Sequence, residues 1–223
     1  MNILKYILLF LVLITIITAT GIFFVSKTAD KPNKSLEVRP TVTPLVQGTS
    51  GFSLEEAPSQ SLRGVITNFS GDVWYLGRSA TESTKLASNG IKVQQGEKYT
   101  TGSNSNLSID FKNAVSVKLD QESEVDIIQT IPFNIVFSQS KGKAQYKTNG
   151  KYPITVRTSY LLTQINGEAV IERDPDKPIV TVFIKSGDAT TAYNDLNYKS
   201  TVVNISEGQM FTFDYGTRKG VLE

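Results

Sequence analysis

The chain has 223 residues, with 23 Lys and Arg against 21 Asp and Glu, and contains neither His nor Cys. A net charge of +2 provides no concentrated basic face, which argues against nucleic acid as a partner. Without Cys there is no disulfide, thiolate nucleophile or Cys-ligated metal, and without His the commonest general base and metal ligand are missing.

Residues 1–5 form a short stub before an uncharged run, Tyr6–Val25, reading YILLFLVLITIITATGIFFV. About 20 apolar residues suffice to cross a bilayer as a helix. A secretion signal is the competing reading, but signal cores are shorter, and here the apolar run continues past the small residues Ala19 and Gly21. The run therefore reads as a single N-terminal transmembrane anchor. Lys5 precedes it, and Lys27, Lys31, Lys34 and Arg39 follow. That count leans toward a cytoplasmic C-terminal part, although long domains translocate largely regardless of flanking charge.

Residues 26–63 carry Pro32, Pro40, Pro44 and Pro58 and no sustained hydrophobic period. Such composition reads as an extended, solvated tether.

From Gly64 the pattern changes to period two. Val65, Thr67 and Phe69 share a face, then Ser70-Gly71 turns the chain, and Val73 and Tyr75 resume. Ser79–Leu86 has room for one helical turn at most, and no convincing amphipathic helix follows residue 25. Gln94–Ser105 is turn chemistry. Leu107, Ile109 and Phe111 alternate with polar residues, Lys112–Ala114 reverses the chain, and Val115, Val117 and Leu119 alternate again: a hairpin with one buried face.

Val125 and Ile127 lead to a strand with Phe133, Ile135 and Phe137 inward. Ala144 and Tyr146 precede Asn149-Gly150, a hairpin signal. Tyr152, Ile154 and Val156 share a face, and Asn166-Gly167 is a second Asn-Gly turn. Ile179–Lys185 is apolar on both faces apart from Thr181 and suits a central strand. Gly187, Gly208 and Gly216 punctuate the remainder, and Phe211, Phe213 and Tyr215 close the pattern. Short strands separated by turns predict an all-β fold, an antiparallel sandwich or roll of two packed sheets over residues 64–218, with 219–223 as a tail.

The stretches GDVW and LASNGIKVQQGEKYTTGSNSNLSIDFKNAVSVKLDQESEVDI resemble the FecR domain. Gly96, Glu97, Thr101, Gly102, Ser105, Leu107 and Ile109 occupy its turn-and-strand pattern, and KGKAQY, ITVRTSYLLTQINGEAVIE, FIKSGDA and NISEGQMFTF are similar to its later elements. The resemblance covers roughly Gly64 to Tyr215. It implies a β domain of FecR type, placed outside the cytoplasm and contacting other proteins. Two departures stand out. Only residues 1–5 precede the membrane run, where the best-known members carry a cytoplasmic anti-sigma segment, and Lys112–Ala114 replaces the family's Asp-Gly-Ser reversal. On the residues alone, Gly96 and Gly102 are expected at positive φ, with Thr101 and Ser105 bonding local backbone. Gly208 and the pair Asn166 and Gly167 are likewise structural turn residues.

Trp74, the only tryptophan, points away from Val73 and Tyr75 and, with Leu76, is the candidate binding pair, unless a loop or the tether covers it. Ser138–Lys141 and Ser140–Lys143 match Ser-x-x-Lys, but that motif works from a helix. Glu172, Asp174 and Asp176 could offer oxygens to Ca²⁺, yet lack the glycine and bidentate acid of an EF-hand loop and read as a solvated hairpin tip. No metal or cofactor is expected. The sequence thus predicts a non-catalytic, membrane-anchored extracytoplasmic module for protein interaction or sensing, with an envelope protein as partner. A wall-polysaccharide-binding module is the alternative, and a hydrolase working through carboxylates, Ser, Thr, Tyr or Lys is a third reading.

Overall fold

The structure, a computed structural model, describes residues 60–149 and 151–223. The stub, the apolar run 6–25, the tether to residue 59, and Gly150 of the expected Asn149-Gly150 turn lie outside the described residues.

Among the described residues there are fifteen strands and no helix: β1 (Gly64–Ser70), β2 (Val73–Leu76), β3 (Thr84–Lys85), β4 (Lys92–Val93), β5 (Lys98–Thr101), β6 (Asn106–Phe111), β7 (Val115–Leu119), β8 (Glu124–Ile131), β9 (Asn134–Thr148), β10 (Ile154–Thr158), β11 (Leu161–Arg173), β12 (Ile179–Asn194), β13 (Ser200–Ser206), β14 (Met210–Asp214) and β15 (Lys219–Leu222). The expected helical turn at Ser79–Leu86 contains β3 instead.

All fifteen strands belong to one hydrogen-bonded sheet. This corrects the expectation of two separate antiparallel sheets. The pairing of β9 with β10 is parallel, so the sheet is mixed. Three long strands explain how one sheet buries its own face. The first half of β9 pairs with β8 and β10, and its second half pairs with β7 and β11. Phe137 and Tyr146 both lie in β9, nine residues apart, which in a straight strand would be about 30 Å. Their ring centroids are 5.6 Å apart. The strand therefore folds back on itself, at Gly142 (φ 73).

β11 and β12 divide in the same way. The start of β11 pairs with β10 and its end with β9; the start of β12 pairs with β14 and its end with β13. The result is two facing layers. One runs β13-β12-β11-β10-β9-β8-β5-β2-β3, and the other β15-β14-β12-β11-β9-β7-β6-β1-β4. Strands that change sheet by bending make such corners in β-sandwiches.

The point where the paired β11 and β12 bend together from one layer into the other is where Asn166-Gly167 is expected to turn. Gly167 (φ 134) instead pairs with Gly187 (φ 79) in the middle of two continuous strands. A β-carbon on Gly167 would overlap the Ser186 carbonyl oxygen, and one on Gly187 the Asn166 oxygen. Only two glycines let the paired backbones approach this closely at the bend.

The core lies between the layers. Phe111 of β6 meets Phe137 edge-on at 6.0 Å, and Tyr193 of β12 sits 4.7 Å from Phe213 of β14. Leu107, Ile109, Phe111, Val115, Val117 and Leu119 are buried, as the hairpin reading requires, with Asn113 at φ 60 in the reversal. Among the described residues the core cluster runs from Ile66 to Phe213. Gln139 stitches the bend of β9. Its Nε2 donates to the Gly142 and Ile171 carbonyls at 2.8 and 3.1 Å, and its Oε1 accepts the Tyr146 hydroxyl at 3.1 Å. Full burial pushes the Tyr146 phenol well above its ordinary pKa.

Several expected faces are corrected. In β1 it is Ile66 that is buried, and Val65 is exposed; a bulge at Thr67 shifts the phase so that Phe69 returns to the core side. Phe133 is 66 % exposed because Pro132 and Phe133 form the β8–β9 turn rather than a strand. Tyr152 is exposed in the β9–β10 link, although Ile154 and Val156 are buried. Phe183 of central β12 is exposed, so that strand alternates. Residues 219–222, expected as tail, pair with β14 as β15.

Candidate functional site

The expected turn residues come together between β5, β6 and the β7–β8 link. Gly96 has φ 89, as expected. Gly102 does not have positive φ; it is glycine for clearance, since a β-carbon there would stand 3.2 Å from the Trp74 ring and 3.3 Å from the Asp72 carbonyl oxygen. Asn104 (φ 56) takes the left-handed position. Thr101 is buried. Its hydroxyl donates to the Asp120 carbonyl at 2.6 Å and accepts the Ser123 N–H at 2.9 Å. Ser105 Oγ accepts the Asp72 N–H at 2.8 Å and donates to the Ser103 carbonyl at 3.1 Å. Glu97, also buried, accepts the Tyr99 hydroxyl at 2.7 Å and the Gln94 N–H at 3.1 Å. Burial, then the Glu97 charge, push the Tyr99 phenol far up. Only the Ser105–Ser103 and Glu97–Gln94 bonds are local as expected; Thr101 and Ser105 tie the turn to the β7–β8 link and to Asp72, 19 to 33 residues away in the chain.

Trp74 and Leu76 are half-buried, with Trp74 lying over Gly102. Gly208 (φ 80) sits in the β13–β14 turn with open space around it. The Ser-x-x-Lys residues are engaged elsewhere: Ser140 donates to Glu124 at 2.7 Å, and Lys143 pairs with Glu172 at 3.4 Å. Asp174 Oδ1 accepts the Asp176 and Lys177 N–H groups, an Asx-type cap on the β11–β12 tip. Among the described residues no three carboxylates gather as a metal site would need.

Two charged clusters decorate the outer surface. Lys98 bridges Glu124 and Asp126 at 3.1 and 3.5 Å. Its bond to Glu124 raises the Lys98 pKa. Burial would raise Glu124, but the bonds from Ser140 and Lys98 outweigh it and the net shift is downward. For Asp126 burial wins over Lys98 and the pKa rises. On the second layer Glu168 receives Lys185 and Lys147 at 3.3 and 3.4 Å and the Gln145 amide at 2.8 Å. Burial would raise its pKa, but the lysine bonds outweigh this and hold it down.

Exposed nonpolar side chains also gather where the sequence reading placed nothing. The β10–β11 turn (Ser159-Tyr160) and the β12–β13 turn (Asp195–Lys199) lie at the same end, because Leu161 pairs with Tyr193 and Asn194 with Ser200. The Asp195 carboxylate accepts the Asn197 and Lys199 N–H groups at 2.8 and 2.9 Å and fixes the second turn. Leu196 and Tyr198 project from it, 66 % and 86 % exposed. Tyr198 sits at φ 62, a conformation that side-chain-bearing residues avoid at about 1–2 kcal/mol. Arg218, from the β14–β15 turn, stacks over the Tyr160 ring at 3.2 Å. Across the adjoining sheet face Arg157, Leu162, Ala192 and Val202 stand in register, with Leu162 and Val202 exposed. Only the apolar alternation of β13 hints at this in the sequence; Tyr198 lies in the polar string NDLNYK.

No family model matches the chain, and no curated protein matches it. Among solved structures, two crystal structures of a proposed anti-sigma factor from Parabacteroides distasonis are similar to it, each at 10 % identity and a TM-score of 0.48. Each match covers 56 % of this chain and 58 % of that one, so it spans little more than half of that protein.

Proposed function

We propose that this chain is a membrane-attached, extracytoplasmic β module of FecR type that docks another envelope protein without catalysis. The membrane part rests on the uncharged run Tyr6–Val25, and the FecR assignment on the Gly96–Ser105 motif. The observation that carries the docking role is Tyr198, an almost fully exposed aromatic held in a costly backbone conformation beside Leu196 and the Arg218–Tyr160 stack. Tyr and Arg are the residue types that dominate binding energy at interfaces.

The test is cross-linking of the full chain in its own envelope, compared with Tyr198→Gly. The expected result is a cross-linked species that the variant weakens by tenfold or more, with its melting temperature unchanged or higher. An identical cross-linking pattern in both overturns the docking role. Protease shaving of intact cells with a C-terminal tag is expected to remove the tag, and protection of the tag overturns the sidedness. A wall polymer is the second reading, favoured by the free ring of Tyr198. It predicts Tyr198-dependent sedimentation with purified wall material and no cross-linked protein.

A further inference from the structure

The opposite end of the two layers has a different chemistry. The β6–β7 turn (Lys112–Ala114), the β8–β9 turn (Pro132-Phe133) and the β9–β10 link meet there, joined by the Asn149 N–H donating to the Ala114 carbonyl at 2.7 Å. A cavity of ≈ 360 Å³ opens between them, with Leu62, Pro132 and Ile135 among its apolar walls and Lys112 and Lys151 at its rim. Phe133 and Tyr152 stand exposed beside it, and the Lys151 ammonium lies 5.8 Å from the Tyr152 ring. Neither lysine has a carboxylate partner among the described residues, and no acid lines the cavity. In the clusters around Glu168 and around Lys98, by contrast, every lysine has a carboxylate partner.

The chain also enters the domain at this end. Leu62 donates its N–H to the Thr130 carbonyl and accepts the Thr130 hydroxyl, both at 2.9 Å. Everything N-terminal to it leads toward the apolar run 6–25. Residues 26–59 can reach roughly 100 Å when extended, so that connection alone leaves the domain's distance from the bilayer undetermined. Unpaired lysines, an exposed phenylalanine and a tyrosine are the groups that settle at a lipid headgroup boundary.

We propose that this end of the domain docks on an anionic bilayer surface, with Lys112 and Lys151 meeting headgroup phosphates and Phe133 and Tyr152 entering the boundary. It rests on the membrane-attachment reading above. Docked this way, the domain holds the Tyr198 end away from the lipid, because β10 (Ile154–Thr158) separates Tyr152, just before it, from Tyr160, just after it.

The experiment is sedimentation of the 60–223 fragment, which lacks the apolar run, with phosphatidylcholine vesicles with and without about 30 % phosphatidylglycerol. The expected result is binding to the anionic vesicles only, weakened about fivefold by Lys112→Gln or Lys151→Gln and about 30-fold by both. Phe133→Ser is expected to cost a further tenfold or so. Thermal melts of all variants should coincide, since none of these side chains is buried. Equal binding to neutral vesicles, indifference to the double lysine change, or saturable binding of inorganic phosphate without vesicle binding each overturns the proposal. Carbonate extraction of the full chain from membranes reports the anchor separately, so failure of one reading is distinguishable from failure of the other.

Discussion

Gly167→Ala should be far more damaging than Gly208→Ala, although both glycines have positive φ. Gly208 (φ 80) has nothing within 4 Å of where a β-carbon would go. Alanine there incurs only the left-handed penalty, about 1–2 kcal/mol, offset by roughly 0.5 kcal/mol from a less floppy unfolded chain. The net loss is about 1 kcal/mol. At Gly167 (φ 134) the added carbon overlaps the Ser186 carbonyl oxygen, a backbone atom that cannot swing aside. Relief requires parting β11 from β12 at the bend. That sacrifices one or two ladder hydrogen bonds at about 1 kcal/mol each and adds backbone strain of about 1–3 kcal/mol. A total near 4 kcal/mol is a large share of the roughly 5–15 kcal/mol available to a domain. Urea unfolding of the 60–223 fragment measures both. If Gly167→Ala fell within about 1 kcal/mol of Gly208→Ala, the close Gly167–Gly187 pairing described above would be wrong.

Thr101→Val removes a hydroxyl that serves two buried backbone groups and should cost about 1–3 kcal/mol, while Thr101→Ser keeps most of it; equal midpoints in urea for the two variants would contradict the bonding. Glu168 has a folded-state pKa below its ordinary value, so its contribution is present above the ordinary carboxylate pKa and is lost as pH falls through the depressed one. Stability of the parent chain should therefore drop across the acid range by more than that of Glu168→Gln. Parallel pH profiles for the two would show that the Lys147 and Lys185 bonds do not hold in solution.

The hairpin of β6 and β7 was legible because local alternation and a reversal at Asn113 agree. Phe211 and Phe213 were legible for the same reason. Asn166-Gly167 was misread because a bent strand pair and a hairpin turn ask for the same residue types; the partner Gly187 lies twenty residues away, and only pairing distinguishes the two. Phe133 fits the alternation of the strand that follows it, but Pro132 turns the chain just before. Val65 and Ile66 exchanged faces because a bulge at Thr67 resets a period that sequence reads as continuous. The parallel pairing of β9 with β10 leaves no local mark at all. At the surface, Trp74 is singled out by rarity yet lies over Gly102, whereas Tyr198 stands out only by its exposure, which the polar string around it hides.

Because β9, β11 and β12 each run unbroken through both layers, the domain has no seam along which it could open like a clam. A partner at the Tyr198 end cannot pry the faces apart to expose a hidden pocket; it meets a stiff block.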